Sequence, residues 1–274
     1  LRMGCLRRAN RALAAAGMVL AEGSAEVLDH ADALADDLPD LARCEDVEAL
    51  RAEVPPPDDV EDAERVQAIR DQLTDAWAWE MAGEYERART VLAEARAAAR
   101  EVDYPPVVTE LDVLGGVLHK DFGEFEDSAA MLERALQAAL QLGQFREAYE
   151  AAAHLPGALG TALSRYDEAR VYAGIARGIA ARPEFGPRYE AAVAHNLTNV
   201  LRAEGKHAEA ETSIRRALEI RREVLPASDP ELGLSRWTLA TIVAARGKYE
   251  EAETEYRAAI DQLCSEAEQA VEDG

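Results

Sequence analysis

The sequence predicts an all-α protein, a solenoid of about five helix pairs preceded by a short helical lead-in. Three observations predict it. A six-residue segment of constant chemistry returns at residues 83, 123, 164, 205 and 247, with spacings of 40 to 42. Each copy stands between two stretches whose apolar residues follow helical spacing. The chain of 274 residues is 48% apolar yet only 5% aromatic, and it is rich in alanine, a composition suited to closely packed helices.

The chain opens on Leu1, as expected of a piece of a longer product or of an unusual start. Residues 1–21 carry Arg2, Arg7, Arg8 and Arg11 and no acid, whereas Glu22 to Asp62 holds fifteen acids and only two bases, Arg43 and Arg51. The basic start followed by Ala12–Ala21 imitates a secretory leader. An amphipathic helix with Met3, Leu6, Leu13 and Leu20 on one side is the better reading. The apolar run is too short to cross a bilayer, which needs about 20 residues. Ser24 is placed to cap a helix through about Asp37 that Pro39 stops, and a short helix is expected from Asp46 to Glu53. Pro55-Pro56-Pro57 then forms a stiff connector, and Asp58 is expected to cap a long helix reaching Met81. The plan is a lead-in over 1–54, a connector at 55–57, the solenoid over 58–266 and a frayed tail at 267–274.

The recurring segments begin Gly83-Glu84-Tyr85, Gly123-Glu124-Phe125, Ser164-Arg165-Tyr166, Gly205-Lys206-His207 and Gly247-Lys248-Tyr249. A leading Gly suits the left-handed residue that ends a helix. The ring two places on is expected to pack across the turn. Small residues follow at Ala88, Ser128, Ala169, Ala210 and Ala252, and again seven later at Ala95, Ala135, Ala176, Ala217 and Ala259. They let antiparallel helices approach closely. Pro156 falls inside the first helix of the third pair, where it predicts a kink or break near Ala153–Gly157.

This pattern resembles the tetratricopeptide repeat, a helix–turn–helix unit of about 34 residues whose copies stack into a right-handed superhelix. The last two units are similar to the longer repeats of kinesin light chains, through His195-Asn196-Leu197-Thr198, Gly205-Lys206-His207 and the loop Leu225-Pro226-Ala227-Ser228-Asp229-Pro230. The fifth unit departs at Trp237 and Thr238, where Asn is expected. The lead-in segments Leu1–Arg8, Leu38–Cys44 and Asp46–Leu50, the triple proline and Gly160–Ala169 are similar to the C-terminal region of bacterial, notably myxobacterial, Hanks-type serine/threonine kinases. That resemblance implies the sensory or partner-binding region of a signalling kinase, or a stand-alone relative. The first implies an extracytoplasmic position behind a membrane helix, the second a cytoplasmic one. Cys5 and Cys44 lie in this lead-in, and a disulfide and two buried free thiols are both open.

Several chemistries are excluded or unsupported. With 30 basic against 53 acidic residues the net charge is −23, which argues against a nucleic-acid face. The third cysteine is Cys264 and no CxxC pair occurs. His30, His119, His154, His195 and His207 form no ligand motif, so no metal or cofactor is expected. The Gly-rich loop, His-Arg-Asp and Asp-Phe-Gly of a kinase are absent, as is a GxSxG elbow, so no catalytic residue is assigned.

The tetratricopeptide resemblance implies a groove lined by the first helix of each pair. Counting back from the turns, position five is Leu73, Val113, His154, His195 and Trp237. Position nine is Trp77, Val117, Ala158, Asn199 and Thr241, and position twelve is Glu80, Lys120, Thr161, Arg202 and Ala244. Lysine never stands at position five, against a carboxylate clamp of the chaperone-binding kind. Asn196 and Asn199 share a helix face. The expected site is Trp77, Lys120, His154, His195, Asn196, Asn199, Arg202 and Trp237, binding a peptide or disordered segment of mixed apolar and acidic character. Trp77 equally fits packing against the lead-in, and Trp237 a core position. The alternative function is self-association into a homo-oligomer through the solenoid ends or the N-terminal helices.

Overall fold

The computed structural model describes the chain except residues 24–26, 28, 29, 37, 40, 47–49, 51–53, 228, 273 and 274, and except the side chains at 32, 33, 36, 42, 43 and 264–272. Among the described residues all regular structure is helical. The lead-in holds α1 (Arg2–Glu22), α2 (Ala31–Asp36) and a 3₁₀ turn at Leu41–Glu45. Five pairs follow: α3 (Val60–Met81) with α4 (Tyr85–Ala99), α5 (Pro105–Asp121) with α6 (Phe125–Leu142), α7 (Phe145–Pro156) with α8 (Tyr166–Ala180), α9 (Pro187–Ala203) with α10 (His207–Val224), and α11 (Pro230–Ala245) with α12 (Tyr249–Glu272). The chain divides into two compact units, Leu1–Ala151 and Ala152–Gly274. None of the described helices is long and apolar enough to cross a membrane.

In the first unit α1 packs on α3, sharing a core cluster through Ala15, Ala16 and Val19, and Arg11 pairs with Asp75. The amphipathic side expected of α1 exists but faces outward: Met3, Leu6, Leu13 and Leu20 are exposed. Small side chains make the buried face because they let the α1 and α3 backbones come close. Cys5 and Cys44 are joined by a disulfide, their Cα atoms 5.5 Å apart. The expected cap Ser24 and most of the expected Asp46–Glu53 helix lie outside the described residues. The cap of α3 is Asp59 rather than Asp58, its carboxylate accepting the Asp62 N–H at 3.0 Å. Tyr104 donates to the carbonyl of Pro55 at 2.7 Å, tying the proline connector to the start of α5.

The repeat chemistry is realised position by position. All ten small residues, from Ala88 through Ala259, are buried. Gly83, Gly123, Gly205 and Gly247 adopt φ between +76 and +81°, and Ser164 takes the same left-handed place at +59°. In the four glycine turns the residue after Gly donates back five places, as Glu84 does to Trp79 at 2.9 Å and Lys206 to Leu201 at 2.8 Å. At Ser164 the bond runs six places, from Arg165 to Leu159. The extra residue sits in a π-helical turn, Gly157–Ala162, that directly follows Pro156. The kink expected there is thus a widened turn: proline has no N–H to continue the α ladder, and the helix resumes with a wider bond.

Two of the rings after the turns reach the following turn. Tyr85 meets Phe122 of the following turn edge-on, centroids 6.2 Å apart, and Tyr166 donates to Ala203 of the following turn at 3.2 Å. These rings therefore link one pair to the next. Tyr249 is 73% exposed.

Candidate functional site

In the first unit the expected site residues are committed elsewhere. Trp77 is half-buried against the cluster that holds α1, α3, α4 and α5 together. The Lys120 ammonium lies 3.2 Å from Asp121. Position two of the first two pairs instead makes a bidentate ion pair, Arg70 Nη2 and Nε donating to Glu110 at 2.6 and 2.9 Å.

The second unit brings more of them together. His195, Asn199 and Arg202 stand at i, i+4 and i+7 on α9, one stripe of a helix. Arg202 is exposed, His195 and Asn199 are half-buried, and His154 is half-buried near the end of α7. Asn196 faces another way, its Nδ2 donating to the Ala153 carbonyl at 3.0 Å, so this amide fastens α9 to α7. Trp237 on α11 is 47% exposed, its ring edge-on to Tyr256 at 4.9 Å between centroids. The Tyr256 hydroxyl lies 3.2 Å from Thr241 Oγ1, one turn along α11 from Trp237.

Behind His195 lies a group the sequence reading missed. Arg221 of α10 is 5% exposed, and its Nη1 stands 3.1 Å from His195 Nδ1 and 2.5 Å from Ser235 Oγ. Its Nε lies 2.8 Å from Glu231 Oε2, and Ser235 donates to the Glu231 carbonyl at 2.7 Å. Burial pushes the His195 pKa down from 6.5 to about 4, helped by the charges of Arg221 and Arg202, so the ring is neutral at pH 7. The signal was present in the repeat. Ala210, Ile214, Ala217 and Arg221 form the buried stripe of α10, and the equivalent last position holds Ala99, Ala139, Ala180 and Leu263 elsewhere.

A second missed node is Glu211, also on α10 and only 9% exposed at its side chain. Arg215, Arg246 and Lys248 all donate to it, and Arg215 also pairs with Glu251. It joins the turn of the last pair to the pair before. Two open hollows of about 540 and 590 Å³ run beside α10 and α12, meeting at Arg222. None of the expected site residues lines them. Among the described residues no group of three or more His, Cys, Asp or Glu is arranged to hold a metal ion.

Residues 189–265, which run from within α9 into α12, match the tetratricopeptide repeat family. No curated protein sequence matches the chain. Among solved structures it is similar to BtubC (BKLC) from P. vanneervenii, with a TM-score of 0.63 at 21% identity over 82% of this chain and 90% of that one. A putative kinesin light chain from Podosopora anserina with nearly identical TPR-like repeats gives 0.60 at 17% identity over 74% and 98%. A Rap protein complexed with Competence and Sporulation Factor gives 0.63 at 15% identity over 94% and 77%. The chain thus has an all-α, tetratricopeptide-like fold, and its last two helix pairs carry the match to the repeat family.

Proposed function

We propose that the chain is a protein-interaction scaffold that binds an extended peptide of mixed apolar and acidic character on the first-helix face of its second unit. The observation that carries this reading is the stripe His195, Asn199 and Arg202 on α9, with Trp237 exposed on α11 at the position equivalent to His195. Arg202 is an exposed guanidinium with no ion pair among the described residues, in a chain of net charge −23. Asn199 makes no hydrogen bond to any described residue. Arginine and tryptophan are the usual anchors of a peptide site, the first for a carboxylate and the second for an apolar side chain. The resemblance to tetratricopeptide repeats and the Rap protein's complex with a factor support the reading.

The test uses two fluorescent heptapeptides, one alternating Leu and Glu, the other Leu and Lys. The Leu/Glu peptide is expected to bind and the Leu/Lys peptide to fail. Replacing Asn199, Arg202 and Trp237 together by Ala should abolish binding with helix content unchanged. Equal binding of both peptides, or binding that survives the triple change, overturns the reading. The resemblance of the lead-in further supports a place beside a serine/threonine kinase domain. Immunoblotting of the native product should then give a band far above the 29.8 kDa of this chain, and a band at that mass refutes it.

One observation favours a second reading, self-association. The outward row of Met3, Leu6, Leu13 and Leu20 leaves an apolar stripe on α1. Light scattering of wild type and of Leu6→Glu/Leu13→Glu decides it. A concentration-dependent dimer abolished by the double change supports it, and a mass independent of concentration rules it out.

A further inference from the structure

Arg221 stands where the other second helices carry Ala or Leu. A guanidinium taken out of water needs partners for its charge and its N–H groups, and removing them is strongly destabilising. Glu231 supplies the opposite charge, and Ser235 and His195 receive Nη1. A guanidinium has five donors and no acceptor. At 3.1 Å from Arg221 Nη1, His195 Nδ1 therefore has to be the acceptor, with its lone pair facing the arginine. A neutral imidazole that accepts through Nδ1 carries its proton on Nε2.

We infer that Arg221 is a specificity-determining positioning residue that locks His195 as an uncharged Nε2–H donor, so that the α9 stripe reads hydrogen-bond acceptors on its peptide. The inference rests on the proposed function for the peptide and on the Arg221 contacts for the lock. Nε2 makes no hydrogen bond to any described residue, and Asn199 and Arg202 add an amide and a cation to the same stripe. The face then offers three donor groups in a row, matched by backbone carbonyls and carboxylates of an extended acidic segment. The charges that face the ring are Arg202 from its own helix and Arg221 from α10, with Glu231 of α11 reached through Arg221. Both arginines oppose protonation, so the donor stays uncharged through neutral pH.

The experiment has two readouts on the full chain. Long-range ¹H–¹⁵N spectra of ¹⁵N-histidine-labelled protein at pH 7 give the tautomer directly. Wild type should show Nε2 protonated and Nδ1 bare. Arg221→Lys, which keeps an N–H donor, should retain that pattern, whereas Arg221→Met should give a mixture of the two neutral tautomers. Anisotropy with the Leu/Glu heptapeptide supplies the second readout. His195→Gln, which offers both an acceptor to Arg221 and a donor to the ligand, should bind as wild type, and His195→Phe should bind about ten-fold more weakly. A wild-type ring protonated on Nδ1, or charged at pH 7, overturns the lock whatever the peptide does, and needs no variant to fold. A correct tautomer with no peptide binding, or with equal binding by the Gln and Phe variants, overturns the recognition role and leaves the lock standing.

Discussion

Replacing Glu211 by Gln tests whether the buried carboxylate on α10 holds the last two pairs together by its charge. Lys248 Nζ lies 2.9 and 3.1 Å from its two oxygens, Arg215 donates at 2.9 and 3.1 Å, and Arg246 donates as well. Burial alone would raise the carboxyl pKa. The hydrogen bonds from Lys248, Arg215 and Arg246 more than reverse this and bring it from 4.5 to about 2. At about 1.4 kcal/mol per pH unit, that gap corresponds to roughly 3 kcal/mol of folding stability. The cations are a third or more exposed and rehydrate once released, which keeps the loss at the low end of the roughly 3–5 kcal/mol seen on breaking a buried pair. The folded pKa is depressed, so this stability is complete above pH 4.5 and disappears as pH falls toward 2. Urea unfolding followed by Trp237 fluorescence, with Trp77 and Trp79 replaced by Phe in both proteins, reads the second unit. Glu211→Gln should cost about 3 kcal/mol at pH 7 and about half that at pH 3.5. A loss below about 0.5 kcal/mol at pH 7, the size of an exposed pair, would refute the reasoning. So would a loss equal at both pH values.

Three further expectations are open to the same unfolding assay. The His195 pKa of about 4 lies below the 6.5 of the unfolded chain, so its neutral burial is free of penalty above pH 6.5 and costs progressively more down to pH 4. Between pH 7 and pH 5 wild type should lose about 2 kcal/mol more than His195→Gln, and parallel losses would contradict this. Ser164 holds φ +59° at the one turn without glycine, so Ser164→Gly should gain about 1 kcal/mol and Gly205→Ser should lose a similar amount. A Cβ on Gly160 would stand 2.8 Å from Val200 Cγ2 and 3.0 Å from Ala169 Cβ, while Gly174 has nothing within 4 Å. Gly160→Ala should therefore lose about 1–3 kcal/mol as Gly174→Ala gains up to about 1, and the same sign for both would show that the π turn does not seat Gly160 tightly.

The repeat architecture was legible because each pair spends the same residue types on the same contacts. A small residue five and twelve places after the turn marks where two helices touch, and nothing else in the chain competes for that signal. The bend at Pro156 was legible in place but not in form, since a missing N–H allows a break, a kink or a wider turn, and only the packing of Gly160 against Val200 and Ala169 selects among them. The outward stripe of α1 misleads because leucine spacing records amphipathicity and not which side is covered. Here the alanine face fits α3 more closely. Asn196 and Asn199 are three residues apart on one helix, yet a carbonyl in α7 takes Asn196. Arg221 and Glu211 were hardest to read, because a charged residue on a helix usually faces water. Only comparison with Ala99, Ala139 and Ala180 marks Arg221 as standing in the core stripe.

The most direct test of the account is to map the Leu/Glu heptapeptide onto the ¹⁵N-labelled full chain by amide and indole chemical-shift changes. The account predicts the largest changes at His195, Asn199, Arg202 and the Trp237 indole N–H, with α10 and α12 little affected. Changes confined to the hollows around Arg215, Arg222 and Arg236, or to the outward stripe of α1, would contradict it and move the binding surface off the His195–Arg202 stripe.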